Sequence, residues 1–394
     1  MNSEWKKYSL GDISICFDKK RIPLSSQERE KRKGIYPYYG AQGIIDYIDD
    51  FIFDGEYLLV AEDGNNVKTR TQDIARIAKG KYWVNNHAHI LTANHLSDLY
   101  FLHYYINSMD ISGYVTGSAQ PKLNQNNLNS LAVNLPPLPE QKKIAEILSS
   151  LDDKIELNNK MNKNLEEIAQ TIFKQWFVDF EFPDENGHPY KSSGGKVIES
   201  ELGEIPEGWS VKELGKVTEF GKLIMGLSPK SSTYNTQGIG TPLLNGAADF
   251  SNGLITPKKY TTDPQRIAKK GDLVFCIRAT IGLLTFSDGE YCLGRGVVTL
   301  SGINKLYIEY IYETLERSFE SLVSLASGSV IKGLTKPDIN KMKVVLPVES
   351  IIKLFNKNVN DLYTMKLENE KLTQSLTQTR DELLPKLMSG EIRV

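Results

Sequence analysis

Cysteine is scarce in this chain of 394 residues: three in all, Cys16, Cys276 and Cys292, with no C-x-x-C pair among them. That spacing excludes a zinc ribbon or a redox dithiol and leaves buried thiols in a reducing cytoplasm as the expectation. Long apolar runs are missing as well. No stretch of about 18 apolar residues predicts a membrane-spanning helix, and the opening M-N-S-E-W-K-K-Y lacks the apolar core of a signal peptide. Nor is there a charge bias. The net charge is −2, residues 1–139 carry 15 Lys+Arg against 15 Asp+Glu, and residues 206–347 carry 17 against 13. Neither segment is a basic domain, so any nucleic-acid affinity has to come from local patches or from partners.

Motifs that carry chemistry are equally sparse. No G-x-x-x-x-G-K-[ST] phosphate loop and no Gly-rich dinucleotide turn occur. N-L-P-P-L at 134–138 is a spoiled version of the Asn/Asp-Pro-Pro-aromatic motif of amino-methyltransferases, and it reads as the start of a helix. His87 and His89 would face one side of a strand and could begin a metal site, but no third ligand is evident. E-D-G-N-N at 62–66 followed by K-T-R at 68–70 has the residue types of a nuclease cluster, and reads more simply as a polar loop between strands.

What is present is a globular composition, 40% hydrophobic and 24% charged, in a chain longer than one core usually supports. A repeat organises it. E-W-K-K-Y-S-L-G-D-I at 4–13 matches G-W-S-V-K-E-L-G-K-V at 208–217, pairing Trp5 with Trp209 and Gly11 with Gly215 at an offset of 204. G-E-Y-L-L-V at 55–60 answers G-D-L-V-F-C at 271–276, and N-N-H-A-H-I-L at 85–91 answers L-G-R-G-V-V-T at 293–299. From 117 onward, where G-S-A-Q-P-K-L-N meets G-S-V-I-K-G-L-T at 328, an offset of 211 holds without gaps. The chain is two copies of one unit, each a mixed head followed by a helix.

The first helix carries Ile144, Leu148, Leu151, Ile155, Asn158, Asn162, Leu165, Ala169, Ile172 and Trp176 at alternating steps of four and three, the spacing of a coiled-coil seam. On the second helix Leu362, Asn369, Leu376 and Leu383 repeat every seven residues, as counterparts of Leu151, Asn158, Leu165 and Ile172. An asparagine on such a seam costs stability and penalises shifted registers. Some 40 residues at ~1.5 Å each give a rod of roughly 60 Å. With a polar return at 184–195, D-E-N-G-H-P-Y-K-S-S-G-G, the helices are expected to run antiparallel with the heads at opposite ends.

L-P-P-L-P-E-Q-K-K-I-A-E-I-L-S-S-L-D-D-K-I-E at 135–156, I-F-K-Q-W-F-V-D-F at 172–180, L-G-E-I-P-E-G-W at 202–209 and L-L-P-K-L-M-S-G-E-I at 383–392 closely resemble the specificity subunits (HsdS) of type I restriction-modification systems. The resemblance extends over essentially the whole chain. It implies two target-recognition domains, each reading half of a bipartite, asymmetric site in double-stranded DNA. It also implies that the helices act as a ruler and as docks for two HsdM modification subunits. S-adenosylmethionine would then belong to HsdM, ATP and magnesium to the HsdR restriction subunits, and neither cofactor, metal nor catalysis to this chain. The second helix departs from the pattern, opening L-P-V-E-S-I-I-K without the P-E-Q-K-K-I-A of the first, which would make the two docks unequal.

The expected class is therefore α+β, with recognition domain 1 at 1–139, a spacer helix at 140–181, a linker at 182–205, recognition domain 2 at 206–347 and a second spacer helix at 348–394. Polarity, repeat position and loop context select Lys20, Arg21, Asn65, Asn66, Lys68, Gln120 and Lys122 in the first head as DNA contacts, and Lys222, Arg278, Arg295 and Lys332 in the second. Two rival classes make distinct predictions. A peptide-reading adaptor would not be retained on DNA through HsdM, and a stand-alone nuclease would cleave with magnesium.

Overall fold

The computed structural model describes residues 5–117, 120–251, 253–278, 280–325 and 333–394. The chain divides into two compact units, one of residues 1–158 with 372–394 and one of residues 159–371.

In the first unit, Lys6–Ser9 pairs antiparallel with Ala132–Leu135, Lys6 opposite Leu135, tying the two ends of the head together. Within this tie lies a four-stranded antiparallel sheet of β1 (Ser14–Cys16), β2 (Tyr57–Ala61), β3 (Ala75–Ala78) and β4 (Ala88–Ala93), in the order β1-β4-β2-β3. Helix α1 (Leu99–Ser108) starts where Asp98 accepts hydrogen bonds from the N–H groups of Tyr100 and Phe101, an N-cap that satisfies two orphan donors. Its Phe101 and Tyr105 share a core with Leu58 and Val60 of the sheet. The chain then enters α2 (Leu138–Phe177).

The second unit repeats the plan. Ser210–Glu213 pairs with Lys343–Leu346, Ser210 opposite Leu346. The sheet consists of β5 (Lys222–Met225), β6 (Leu273–Cys276), β7 (Leu284–Phe286) and β8 (Val297–Ser301), in the order β5-β8-β6-β7. Helix α3 (Ile308–Leu325) takes the place of α1, and α4 (Glu349–Ser389) follows. The pairs Lys6–Leu135 and Ser210–Leu346 reproduce the sequence offsets of 204 and 211.

Inside the sheets the repeat is one residue away from its sequence alignment. Leu58 lies opposite Leu91 and Leu273 opposite Leu300. Leu58 and Val60 share the core of α1, as Leu273 and Phe275 share that of α3. Val60 is thus the counterpart of Phe275, not of Cys276, and His89 is the counterpart of Val298, not of Val297. The cause is a one-residue difference before the strand. Two residues separate the positive-φ Gly55 from Leu58, and one separates the positive-φ Gly271 from Leu273. Because β6 is buried at every position, no polar alternation marks the register, and a slip of one residue exchanges the faces unnoticed.

Each head closes its core with two helix ends. In the first unit these are Ile144 and Leu148 of α2 and Leu387 and Met388 of α4. In the second they are Phe355 and Val359 of α4 and Trp176 and Phe177 of α2. The helices run antiparallel within each unit. Asp152 meets Arg380 at 2.8 Å and Asn158 Nδ2 donates to Thr373 Oγ1 at 3.3 Å in the first, and Glu166 meets Lys366 at 3.3 Å in the second. The expected seam residues Leu151, Asn158, Leu165, Ile172, Leu362, Asn369, Leu376 and Leu383 are all buried or half-buried. Lys366, Thr373 and Arg380 continue the seam of α4 at the same spacing, so its middle is more polar than the leucines suggest. Among the described residues no helix is long and apolar enough to cross a membrane.

The second unit buries an acid beside its helices. Glu313 of α3 accepts the Tyr363 O–H, with Glu316 and Glu166 adding negative charge and Lys366 positive. Burial, the dominant cause, pushes its carboxyl up to about 7. A raised acid favours the folded state below its unfolded value near 4.5, and that contribution is lost as pH rises through 7. Glu313→Gln should therefore flatten the decline in stability between those limits and stabilise the protein at pH 8 by about 1–3 kcal/mol. Thermal unfolding of both proteins across pH 4.5–8 measures this, and parallel curves would contradict it.

Candidate nucleic-acid interface

At one edge of each sheet the backbone gathers loops from distant parts of the sequence. In the first unit, the Glu62 N–H donates to the His87 carbonyl at 2.9 Å, and the Leu123 N–H donates to the Glu62 carbonyl at 2.7 Å. In the second, the Ile277 N–H donates to the Gly296 carbonyl at 3.0 Å, and the Leu334 N–H to the Ile277 carbonyl at 2.9 Å. The same two-link chain thus joins equivalent loops. Gly226 is required at this edge of the second unit, because a Cβ there would stand 2.0 Å from the Gly294 carbonyl oxygen.

The sequence-selected residues fall into distinct groups at these edges. Lys20, Asn65, Lys68, Gln120 and Lys122 are exposed in the first unit, and Arg278 and Arg295 in the second. Arg21 and Asn66 are spent on internal contacts, a correction to the expectation that they face a ligand. Arg21 Nη1 donates to Glu62 Oε2 at 2.6 Å and to the Ala88 carbonyl at 3.0 Å. Asn66 Nδ2 donates to the Gln72 carbonyl at 3.0 Å, and its Oδ1 accepts from the Gln72 N–H at 3.0 Å and the Thr71 hydroxyl at 3.1 Å. Lys222 is also displaced. It sits opposite Ser301 at the start of β5, while the loop edge lies at the other end, where Met225 is opposite Val298. Lys332 lies outside the described residues.

Arg70 fastens the 62–70 loop from behind. Its backbone is left-handed, with φ 52°, and its guanidinium donates to the carbonyls of Asn107 at 2.6 Å, Met109 at 3.2 Å and Ile106 at 3.3 Å. These are the orphan acceptors of the α1 C-terminus, where a cation is favoured.

His87 and His89 do not form a common site. His87 is 48% exposed and its Nδ1 lies 2.7 Å from Asp63 Oδ2. His89, fully buried in β4, has Nδ1 2.5 Å from Asp18 Oδ2 and Nε2 2.7 Å from the Leu123 carbonyl oxygen. Both of its ring nitrogens face acceptors. Burial opposes the charge on Asp18, yet the hydrogen bond and charge of His89, the Ile90 N–H and Arg21 hold its carboxyl below the usual range. Burial likewise opposes Glu62, and Arg21 and Lys122 outweigh it, with Lys122 Nζ 3.0 Å from Glu62 Oε1. The ligand atoms of Asp18, Glu62 and His89 lie within 4.8 Å of one another, the spacing of a metal site. Arg21 and Lys122 already supply the positive charge a cation would bring, so the group reads as a closed ion network.

Residue type did not distinguish this support from recognition, but substitution does. Asn66→Ala removes three hydrogen bonds at a buried site and should lower the stability of the first unit by about 1–3 kcal/mol. Lys68→Ala, on the exposed side of the same turn, should change it by no more than about 0.5 kcal/mol. Hydrogen exchange in the 62–74 segment measures both, and equal protection in the two variants would count against the division.

The family model described as "Type I restriction modification DNA specificity domain" matches residues 2–167 and again 206–378. A protein named putative type I restriction enzyme MjaX specificity subunit, from Methanocaldococcus jannaschii, is 32% identical over 305 residues, covering 75% of this chain and 68% of its own. The type I restriction enzyme HindI specificity subunit of Haemophilus influenzae is 25% identical, covering 99% of this chain and all of its own. Among solved structures, a type I restriction-modification S subunit from M. genitalium matches with a TM-score of 0.67 at 17% identity, over 98% of this chain and 96% of its own, a likeness of fold. Two matched segments, one over each head, and a relative above 30% identity place this chain in the type I restriction-modification DNA specificity family.

Proposed function

We propose that the chain is the DNA-specificity subunit of a type I restriction-modification complex, with the loop edge of each unit reading one half of a bipartite duplex target. The observation that carries this reading is the pairing of like scaffolds with unlike edges. Counting outward from the aligned strands, Asp63 of the first unit corresponds to Arg278 of the second, and Asn86 to Arg295. A carboxylate accepts from a cytosine amino group, an amide pairs with adenine, and guanidinium groups pair with guanine or phosphate. Two edges built on one plan with different hydrogen-bonding groups suit two different half-sites.

In this reading the recognition domains are residues 1–139 and 206–347, the linker is 182–205, and the helices set the spacing of the half-sites. Candidate contacts are Lys20, Asn65, Lys68 and Gln120 on one edge and Arg278 and Arg295 on the other, while Lys122 is held by Glu62 at 3.0 Å. Leu157 and Leu372 in the first unit and Ile168 and Met365 in the second are exposed apolar residues on the helices. They suit docking of two modification subunits. Methylation, with S-adenosylmethionine, belongs to those partners, and ATP- and magnesium-dependent restriction to HsdR, so the chain itself is non-catalytic. With a net charge of −2, it leaves much of the phosphate grip to them.

Mapping of adenine methylation in cells carrying this chain with its modification partner, against cells carrying the partner alone, tests the reading. A new bipartite motif with a fixed gap is expected. Methylation that does not depend on this chain would refute it. Within that motif, Arg278→Ala should weaken discrimination in one half-site by about 1–3 kcal/mol. A uniform loss of affinity on all sequences would reassign Arg278 to phosphate.

A further inference from the structure

The two heads differ most where the fold has least reason to differ. In the first unit Asp18, Glu62 and His89 occupy three adjoining positions at the loop end of the sheet, with Arg21 and Lys122 paired to them. The ladders identify their counterparts. Val298 answers His89 across the Leu58–Leu91 and Leu273–Leu300 registers, and Ile277 answers Glu62 through the shared bonds to Leu123 and Leu334. Met225, opposite Val298, answers Asp18, which follows β1 and whose carboxylate bonds His89 Nδ1 and the Ile90 N–H. Ile277 and Val298 are buried in the apolar core of the second unit and Met225 packs against it.

The same scaffold therefore closes at this point with three apolar side chains. A buried ion network rarely adds stability over well-packed apolar residues of similar size, so folding alone does not account for the polar version. Its bonds do account for loop placement. Arg21 ties the 18–21 turn to the 62 and 88 positions, Lys122 pairs with Glu62, and His89 ties Leu123 to Asp18. The Thr116 and Lys122 backbones bond each other at 2.9 and 2.8 Å, extending this hold to the segment that carries Gln120. Two cations at the recognition edge are at the same time neutralised by Glu62 and Asp18.

We infer that Asp18, Glu62 and His89 are positioning residues for the first half-site: the network fixes the loops around Lys20, Gln120 and Lys122 and withholds Arg21 and Lys122 from the phosphates. Removing it converts selective contact into unselective attraction. The inference rests on the proposed role in DNA recognition.

The test exchanges the network for its counterparts, Asp18→Met, Glu62→Ile and His89→Val together, in the full chain assembled with its modification subunit. Binding is measured on duplexes carrying the mapped motif, on duplexes altered in either half, and over a range of salt. Discrimination should fall about tenfold or more in one half-site, the one that Arg278→Ala leaves intact. The slope of log affinity against log salt should steepen by up to about 0.9 for each freed cation that meets a phosphate. A merely loosened domain would not steepen it. Unchanged discrimination, or equal loss in both half-sites with an unchanged slope, overturns the inference. If the triple variant does not assemble, Glu62→Gln is read the same way, with a smaller loss expected in that half-site and no loss overturning it. A native complex that binds motif and scrambled duplexes alike would instead remove the recognition reading itself.

Discussion

Neither head completes its core from its own repeat alone. The first takes Leu387 and Met388 from α4 and the second takes Trp176 and Phe177 from α2, alongside the helix starts at Ile144 and Phe355. These residues correspond at the repeat offset of 211, so one packing solution is used twice with the helix ends exchanged. Burial of such side chains is worth roughly 1.5–3 kcal/mol each, and losing a pair would open a cavity beneath the sheet. The antiparallel helices are thus a condition for folding the heads.

Duplication also separates what the architecture requires from what each head adds. Strand order, the tie between the head's two ends and the backbone links among loops occur in both units. The side chains at the edge do not. Arg278 stands where the first unit has Asp63, and an apolar plug stands where it has a buried ion network. A shared scaffold fixes where a loop is held, and the differing residues then decide what the held loop presents.

Legibility in the sequence followed the physical strength of each signal. The seam was readable because alternating steps of three and four, kept up over four heptads, hold one stripe of a helix against a partner and suit no strand or loop. The 204 and 211 offsets were readable because tryptophan, glycine and proline punctuate those segments. The central strands were misaligned by one residue because continuous burial erases the alternation that sets register. Arg21 and Asn66 looked like ligands for the reason that they are polar loop residues, yet folding turns both inward. The ion network was invisible because Asp18, Glu62 and His89 are brought together only by the β1–β4–β2 order. The spacing of His87 and His89 suggested one strand face, but β4 begins at Ala88, which leaves His87 in the turn beside Asp63.

The near-zero charge, 47 Lys and Arg against 49 Asp and Glu, is accompanied by internal pairing. Arg21 and Lys122 are matched by Asp18 and Glu62, Arg29 by Asp46, Arg32 by Asp49 and Arg380 by Asp152. Cations engaged in this way order loops and helices but contribute little to a field that would hold any duplex regardless of sequence. A head without a strong basic surplus gains less from wrong DNA than a basic one, since the phosphate term is common to every site while base-edge contacts are not. Low intrinsic grip is then an advantage for selectivity: it keeps the sequence-independent part of binding from swamping the difference between right and wrong sites.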